Sequence, residues 1–317
     1  MSESVPAIVH GHEKVRNYQN MNHIVKRIGI LTGVFAAALC VFFLANNRWN
    51  SGQDQAVYMD MEAASLPSIT VQMLGRDMNR LYGYRQEMNT TAAGENLTIL
   101  PEDRALTVDI TGGGVTGISY EVRSMDRARL VERTEVSDWQ QTQQGIAATL
   151  SIQNLLTKER EYQLIIQLDT ENYGSVYYYT RILWTDSAQH ARDMVDLAAD
   201  FSIKTFDYEQ AKSLTTYLET SPSEDNSTFG HTSIHSSFSQ LTWGKMNMQP
   251  EGNVEIRLKE LDGVMCGVQL SYQAKRQGDG AEETYEVEED FTLKWNELRI
   301  YMMQYDRTVN QIFAGDR

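Results

Sequence analysis

The chain has 317 residues, two cysteines and a formal net charge of −15. This length accommodates about two ordinary domains, and a disulfide framework is excluded because Cys40 lies inside the most apolar run whereas Cys266 lies far outside it. The acidic balance argues against nucleic acid as a partner, since binding a polyanion requires a basic surface that displaces counterions.

The first predicted element is an apolar segment near the N-terminus, "KRIGILTGVFAAALCVFFLANNR". Residues 28–45 carry no charge, and a helix of this length, at ~1.5 Å per residue, is just long enough to cross a thin bilayer. Four basic side chains precede it: Lys14, Arg16, Lys26 and Arg27. The chain is therefore expected to cross the cell membrane once. The positive-inside rule places its N-terminus in the cytoplasm and the bulk of the chain outside the membrane.

Three other interpretations of this segment are weaker. A cleaved signal peptide has its small residues after the apolar core, whereas the alanines at 36–38 lie inside the core. A lipid-anchored Cys40 would follow a small residue, and Leu39 stands there instead. A buried core helix is seldom apolar all round and flanked by charge at both ends.

The next region, from residue 66 to about residue 185, consists of short alternating runs separated by turn residues. In "GISYEVRS", Ile118, Tyr120 and Val122 fall on one face and polar residues on the other, which is typical of a half-buried antiparallel strand. The region contains six such runs at a spacing of roughly 10–15 residues. They are "ALTVDI", "VTGISYEVRS", "RLVERTEV", "IAATLSIQ", "EYQLIIQLDT" and "SVYYYTRILW". This rhythm predicts an immunoglobulin-like or fibronectin III-like β-sandwich without the paired cysteines of antibody domains.

After residue 185 the apolar period changes from two to about 3.6. The spacing predicts a helix over 187–206 and a second helix over 208–220, opened by Asp207 as N-cap and ended by Pro222. Strand-like runs then occupy 232–306, so this region is expected to form an α+β domain with two helices on an antiparallel sheet.

The predicted fold class is accordingly mainly β with an α+β part. The predicted divisions are a cytoplasmic segment (1–27), a transmembrane helix (28–46), a tether (47–65), an Ig-like β-sandwich domain (66–185) and an α+β domain (186–317).

The stretch "GHTSIHSSF" raises the question of a metal site, because it carries His231 and His235 four residues apart. On a helix the two rings would lie ~6 Å apart and could share an ion, but on a strand four residues span ~13 Å. The β-branched, serine-rich composition favours a strand or loop. No metal is therefore expected, and the two histidines are only weak candidate ligands.

Other conspicuous residues suggest binding rather than catalysis. "TGGGVTG" is expected to be a turn, and "AEETYEVEED" a solvated strand face, with Glu286, Glu288 and Asp290 opposite Val287 and Phe291. Three aromatic residues would bind a sugar or a protein if their rings were exposed: Tyr177, Tyr179 and Trp243. No catalytic constellation and no cofactor motif is recognisable, so a non-enzymatic protein without a cofactor is expected.

Several segments carry a resemblance to a known group of proteins: "LYGYRQEM", "LPEDR", "SYEVRSMDRARLVERTEV", "YYYTRI" and "IHSSFSQLTWG". They are similar to segments of an uncharacterised family of single-pass, membrane-anchored extracytoplasmic proteins of Gram-positive anaerobes. The resemblance covers most of the predicted exterior part. It implies the same topology and no particular activity.

The expected function is that of a membrane-anchored extracytoplasmic binding or scaffold protein that interacts with or regulates another cell-envelope protein. The alternative is a carbohydrate- or wall-binding module, or a wall-directed hydrolase, which would need a row of exposed rings or a cleft with converging carboxylates. Gly29 and Gly33 form a G-x-x-x-G motif that would let two spans pair closely, which leaves a homo-oligomer open.

Overall fold

The computed structural model describes residues 26–27, 29–42, 44, 66–88, 94–143, 145–219, 228–276 and 283–312. The chain divides into two compact units, Met1–Ala64 and Ser65–Arg317. In the first unit, residues 29–42 are helical and exposed. The predicted tether, residues 47–65, lies outside the described residues.

The prediction of a membrane-spanning helix over 28–46 is wrong. Among the described residues, no helix is both long enough and apolar enough to cross a membrane. The prediction rested on the apolar run in the sequence, whereas a span also needs a helix of about 20 residues.

The second unit is mainly β, as predicted, and its described strands form three five-stranded sheets. The strands are β1 (Ser68–Met73), β2 (Arg76–Leu81), β3 (Leu97–Ile99), β4 (Ala105–Thr111), β5 (Val115–Ser124), β6 (Leu130–Glu135), β7 (Trp139–Gln141), β8 (Ile146–Ser151), β9 (Glu161–Thr170), β10 (Gly174–Leu183), β11 (His231–Ser233), β12 (Met248–Asp262), β13 (Met265–Arg276), β14 (Glu283–Trp295) and β15 (Ile300–Ile312). The helices are α1 (Ala188–Lys204), α2 (Tyr208–Ala211), a 3-10 helix (Lys212–Tyr217) and α3 (Phe238–Leu241).

Sheet 1 has the strand order β2-β1-β4-β8-β7, and sheet 2 has the order β3-β10-β9-β5-β6. Their inward-facing side chains belong to one continuous core, an arrangement consistent with a β-sandwich. The predicted alternation in β5 is confirmed, since Ile118, Tyr120 and Val122 are all buried. Sheet 3, with the order β11-β15-β14-β13-β12, contributes to the same core.

Helix α1 packs on the inner face of sheet 3. Its buried apolar residues recur at three- and four-residue intervals: Ala191, Met194, Val195, Ala198 and Phe201. The Phe201 ring lies 4.9 Å from that of Tyr305 and 5.7 Å from that of Phe291, measured between centroids. These contacts fix the helix across the central strands of the sheet.

The second predicted helix is only one α-turn long before it tightens into the 3-10 helix. Asp207 caps α2 by accepting hydrogen bonds from the backbone N–H groups of Glu209 and Gln210. In the following segment the Ser213 and Thr215 hydroxyls bond to carbonyls three residues earlier, at Gln210 and Lys212. Such side-chain bonds compete with the regular helical pattern, and i→i+3 bonding results.

The three sheets meet at Asn79, whose side chain is completely buried. Asn79 lies in an irregularity of β2, with φ of 50°, a conformation that asparagine tolerates better than most residues. Its Nδ2 donates to the Leu97 carbonyl of β3 at 2.8 Å, and its Oδ1 accepts from the Leu258 N–H of β12 at 2.9 Å. One amide therefore joins the edge strands of all three sheets.

Asn79→Ala should lower the free energy of unfolding by roughly 2–4 kcal/mol, because it leaves a buried N–H and a buried carbonyl unpaired and places alanine at positive φ. Urea denaturation measures this value. Asn253→Ala, at an exposed asparagine, is the matched control and should change stability by less than about 0.5 kcal/mol. Equal effects of the two substitutions would contradict the bridging role of Asn79.

Glu132 on β6 is a second buried polar residue that fixes a connection. Its carboxylate accepts hydrogen bonds from the Tyr120 hydroxyl at 2.7 Å and from the Asn154 N–H at 2.8 Å. The Thr134 hydroxyl and the Gln153 N–H donate to it as well. Burial acts to raise the pKa of Glu132, but these donors together outweigh it, and the pKa lies below its ordinary value of 4.5.

Because the folded-state pKa of Glu132 is depressed, its contribution to stability is present above the unfolded pKa and is lost as the pH falls through the folded pKa. Glu132→Gln should cost roughly 1–3 kcal/mol near neutral pH. The gap between the two proteins should shrink as the pH is lowered from about 6 to about 3. Urea denaturation across this range is the measurement, and a pH-independent gap would contradict the assignment.

Candidate functional site

Three surface cavities meet at the start of β2. The hairpin cavity, of about 780 Å³, lies between the β1–β2 turn and the N-terminal part of α1. The helix cavity, of about 340 Å³, lies between α1, β12 and β13, and the sheet cavity, of about 520 Å³, lies between sheet 1 and β12. Asp77 lines all three cavities, and Arg76 lines the first two.

The helix cavity has the character of a binding pocket. Its volume falls within the range of ~300–1,000 Å³ that is usual for ligand pockets, which are mostly apolar with a few polar groups. Most of its walls are apolar side chains: Ala199, Ile203, Phe206, Val254, Ile256 and Leu270. The side chains of Ile203 and Val254 are large and apolar yet 52% and 38% exposed. Apolar surface at this opening is therefore available to a partner.

Local features of α1 and β12 shape two walls of this cavity. On α1 the small side chain of Ala199 stands where a larger residue would fill the space. On β12 the register with β13 shifts between Glu251 and Glu255, and Gly252 takes a φ of 73°. This bulge turns Val254 away from the ladder and toward the cavity.

The polar groups of the helix cavity are two hydroxyls and two charges. The Ser202 Oγ and the Tyr272 hydroxyl oxygen lie 3.5 Å apart. Burial raises the pKa of Tyr272 well above its ordinary value, so its hydroxyl stays neutral and can only donate or accept a hydrogen bond. The Arg76 guanidinium is held 2.7 Å from Asp196, so its charge is already paired.

Asp77 differs from the other charged groups at this opening. It is exposed, and none of the described residues donates a hydrogen bond to its carboxylate or forms an ion pair with it. By contrast, Arg80 pairs with Glu255 at 3.1 Å. A free carboxylate beside an apolar cavity is suited to bind a cationic or hydrogen-bond-donating group.

A buried charged pair, Glu289 and Arg307, lies behind the cavity wall. The two residues are directly opposite one another on β14 and β15, and both are completely buried. The Tyr305 hydroxyl donates to Glu289 Oε1 at 2.7 Å. Arg307 donates to the Gln240 and Leu241 carbonyls, both at 2.9 Å, and its guanidinium carbon lies 3.7 Å from the Trp243 ring centroid. Arg307 thus ties the end of α3 to sheet 3.

Burial raises the pKa of Glu289, and the Arg307 charge opposes this effect without cancelling it. Sequence reasoning missed this residue. Counting alternate positions along "TYEVEEDF" places Glu289 on the same face as Val287 and Phe291. A single glutamate on the apolar side of a strand was the available signal, but the sequence did not reveal which cation it would meet.

Because the folded-state pKa of Glu289 is raised, the folded chain retains a proton that the unfolded chain has released at pH values above about 4.5. The free energy of unfolding therefore falls, through this residue, as the pH rises from about 4 toward neutral. Glu289→Gln should remove this slope and leave the chain at least as stable as the wild type near pH 7.

The test is urea denaturation at intervals between about pH 4 and about pH 7. Glu288→Gln changes the exposed neighbouring carboxylate and serves as the matched control, with the wild-type slope retained. Identical slopes in all three proteins would show that Glu289 does not carry a raised pKa.

The two histidines of the sequence motif have separate partners. His231 begins β11, and its Nε2 lies 3.2 Å from Asp306 Oδ1. His235 lies in the turn that follows β11, with its Nδ1 2.9 Å from the Glu219 carbonyl oxygen. Among the described residues there is no group of three or more His, Cys, Asp or Glu side chains placed to hold a metal ion.

None of the three aromatic candidates lines the helix cavity, although Trp243 stacks on Phe206 of its wall at 5.3 Å between ring centroids. Tyr179 and Trp243 are 4% and 2% exposed, and the Tyr179 hydroxyl accepts from the Met88 N–H. Tyr177 is partly buried and pairs through its backbone with Tyr84. Gly29 and Gly33 lie in the helical residues 29–42, with no described atom within 4 Å of where a side chain would begin.

No family model matches the chain, and no curated protein matches it. What the helix cavity binds must therefore be argued from its walls, charges and dimensions.

Proposed function

We propose that the chain is a binding protein that recognises a segment of a partner protein and takes an apolar side chain of that segment into the helix cavity. The observation that carries this proposal is the open cavity of about 340 Å³ with apolar walls and a polar floor. Ser202 and Tyr272 offer hydroxyl groups there that can donate or accept hydrogen bonds.

The energetics favour a segment over an isolated small group. Burying one aliphatic or aromatic side chain contributes about 1.5–3 kcal/mol. A dissociation constant of about 1 μM requires about 8 kcal/mol. The remainder has to come from contacts outside the helix cavity, and the hairpin and sheet cavities adjoin it at Asp77. An extended peptide that leaves the helix cavity past Asp77 can contact either of them.

The strand order also supports a binding role, as an analogy. In sheet 1 the order β4-β8-β7, and in sheet 2 the order β10-β9-β5-β6, correspond to strands B-E-D and G-F-C-C′ of an immunoglobulin-like sandwich. The Tyr162 hydroxyl accepts from the Thr157 N–H at 3.1 Å, as in the tyrosine corner of such domains. Many domains of this architecture bind proteins, although the fold alone assigns no function.

Selection from a random peptide library displayed on phage, with the full chain as bait, tests the proposal. The enriched peptides should share one aliphatic or aromatic position. Ala199→Phe fills the cavity from α1 and should weaken their binding by at least tenfold, because the lost burial is worth about 1.5–3 kcal/mol. Ala128→Phe, at an exposed alanine outside the cavity, should leave the affinity unchanged.

Two outcomes would overturn the proposal. The first is a library that yields no peptide with higher affinity for the full chain than for an unrelated acidic protein. The second is a set of peptides that bind Ala199→Phe as tightly as the wild type. Specific capture of oligosaccharides from a glycan array, with no peptide enriched, would instead favour a carbohydrate-binding function.

A further inference from the structure

Within the proposed function, on which this inference rests, we infer that Asp77 selects partners in which a basic group lies next to the apolar anchor. The supporting observation is that the Asp77 carboxylate, which has no partner among the described residues, lies where the three cavities meet. A segment seated in the helix cavity passes Asp77 whichever of the two neighbouring cavities it enters.

Asp77 is available for this role because the neighbouring carboxylates have partners of their own. The other carboxylates around the opening already have partners: Asp196 has Arg76, Glu255 has Arg80, and Asp109 accepts from Gln72. Asp77 repels an anionic group of a partner at the helix cavity, where Arg76, the cation among the described lining residues, already pairs with Asp196. A cationic group would form an ion pair without displacing an existing one.

The net charge of the whole chain also favours a basic partner. At −15 it attracts cations and repels anions beyond the range of individual contacts. This long-range attraction raises the association rate of a basic partner and weakens with salt. The close contact with Asp77 adds selectivity at one position of the bound segment.

The preference can be tested with three probes that share a six-carbon chain: n-hexylammonium, n-hexanol and n-hexanoate. Binding to the full chain is followed by chemical-shift titration. The ammonium should bind about three- to tenfold more tightly than the alcohol, as expected for one partly exposed ion pair, and the carboxylate should bind more weakly than the alcohol. Added salt should reduce the difference between the ammonium and the alcohol.

Two variants separate the charge from the cavity. Asp77→Asn should bring the ammonium to within about twofold of the alcohol, because the amide carries no charge to form an ion pair. Asp138→Asn, at an exposed aspartate that lines none of the three cavities, should retain the wild-type order. The salt titration of the wild type needs no variant, so the inference stays testable even if Asp77→Asn folds poorly.

The outcomes distinguish this inference from the proposed function. If the alcohol binds and Ala199→Phe abolishes its binding, but the ammonium has no advantage, the cavity is a binding site and the role of Asp77 is refuted. If the advantage of the ammonium survives Asp77→Asn, another group provides it and the inference again fails. If none of the probes binds and no peptide is enriched, the proposed function itself falls.

Discussion

The hydrogen bonds of Asn79 determine how the three sheets of the second unit meet. β2, β3 and β12 are each the edge strand of a different sheet, and an edge strand presents backbone groups that need partners. Asn79 satisfies one such group on β3 and one on β12 within a buried junction. Asp77 lies two residues earlier on the same strand, so the junction that joins the sheets also positions the carboxylate at the meeting point of the cavities.

The buried Glu289–Arg307 pair constrains the opposite side of the same site. Removing an arginine and a carboxyl group from water is costly, and a well-packed apolar pair would often be at least as stable. What this pair supplies is a set of fixed contacts: Arg307 holds the last carbonyls of α3 and stacks on Trp243, and Tyr305 joins Glu289 to the ring of Phe201. These contacts join α1 and α3 to sheet 3.

Features set by neighbours in sequence were predictable, and features set by distant neighbours were not. Alternation revealed β5, and three- and four-residue spacing revealed α1, because both patterns follow from local backbone geometry. The span predicted over 28–46 was wrong, since no helix among the described residues is both long and apolar enough to cross a membrane. The bulge at Asn79 left no trace in the sequence, since its partners are Leu97 and Leu258. The helix cavity was equally hidden, because its walls come from segments far apart in the chain.

These constraints bear on how strongly the helix cavity can bind. If a ligand had to order the walls of a cavity on binding, the binding free energy would be reduced. The cost is about 0.5–1.5 kcal/mol for each side chain that becomes immobilised. Here α1 is fixed by Phe201, the β12 wall by Asn79, and the β13 wall by its place inside sheet 3. Only the side chains at the rim, such as Ile203 and Val254, remain to be ordered by a partner. For the proposed binding function, a preformed cavity with an exposed rim favours modest, selective binding of short segments over the tight binding of a large rigid surface.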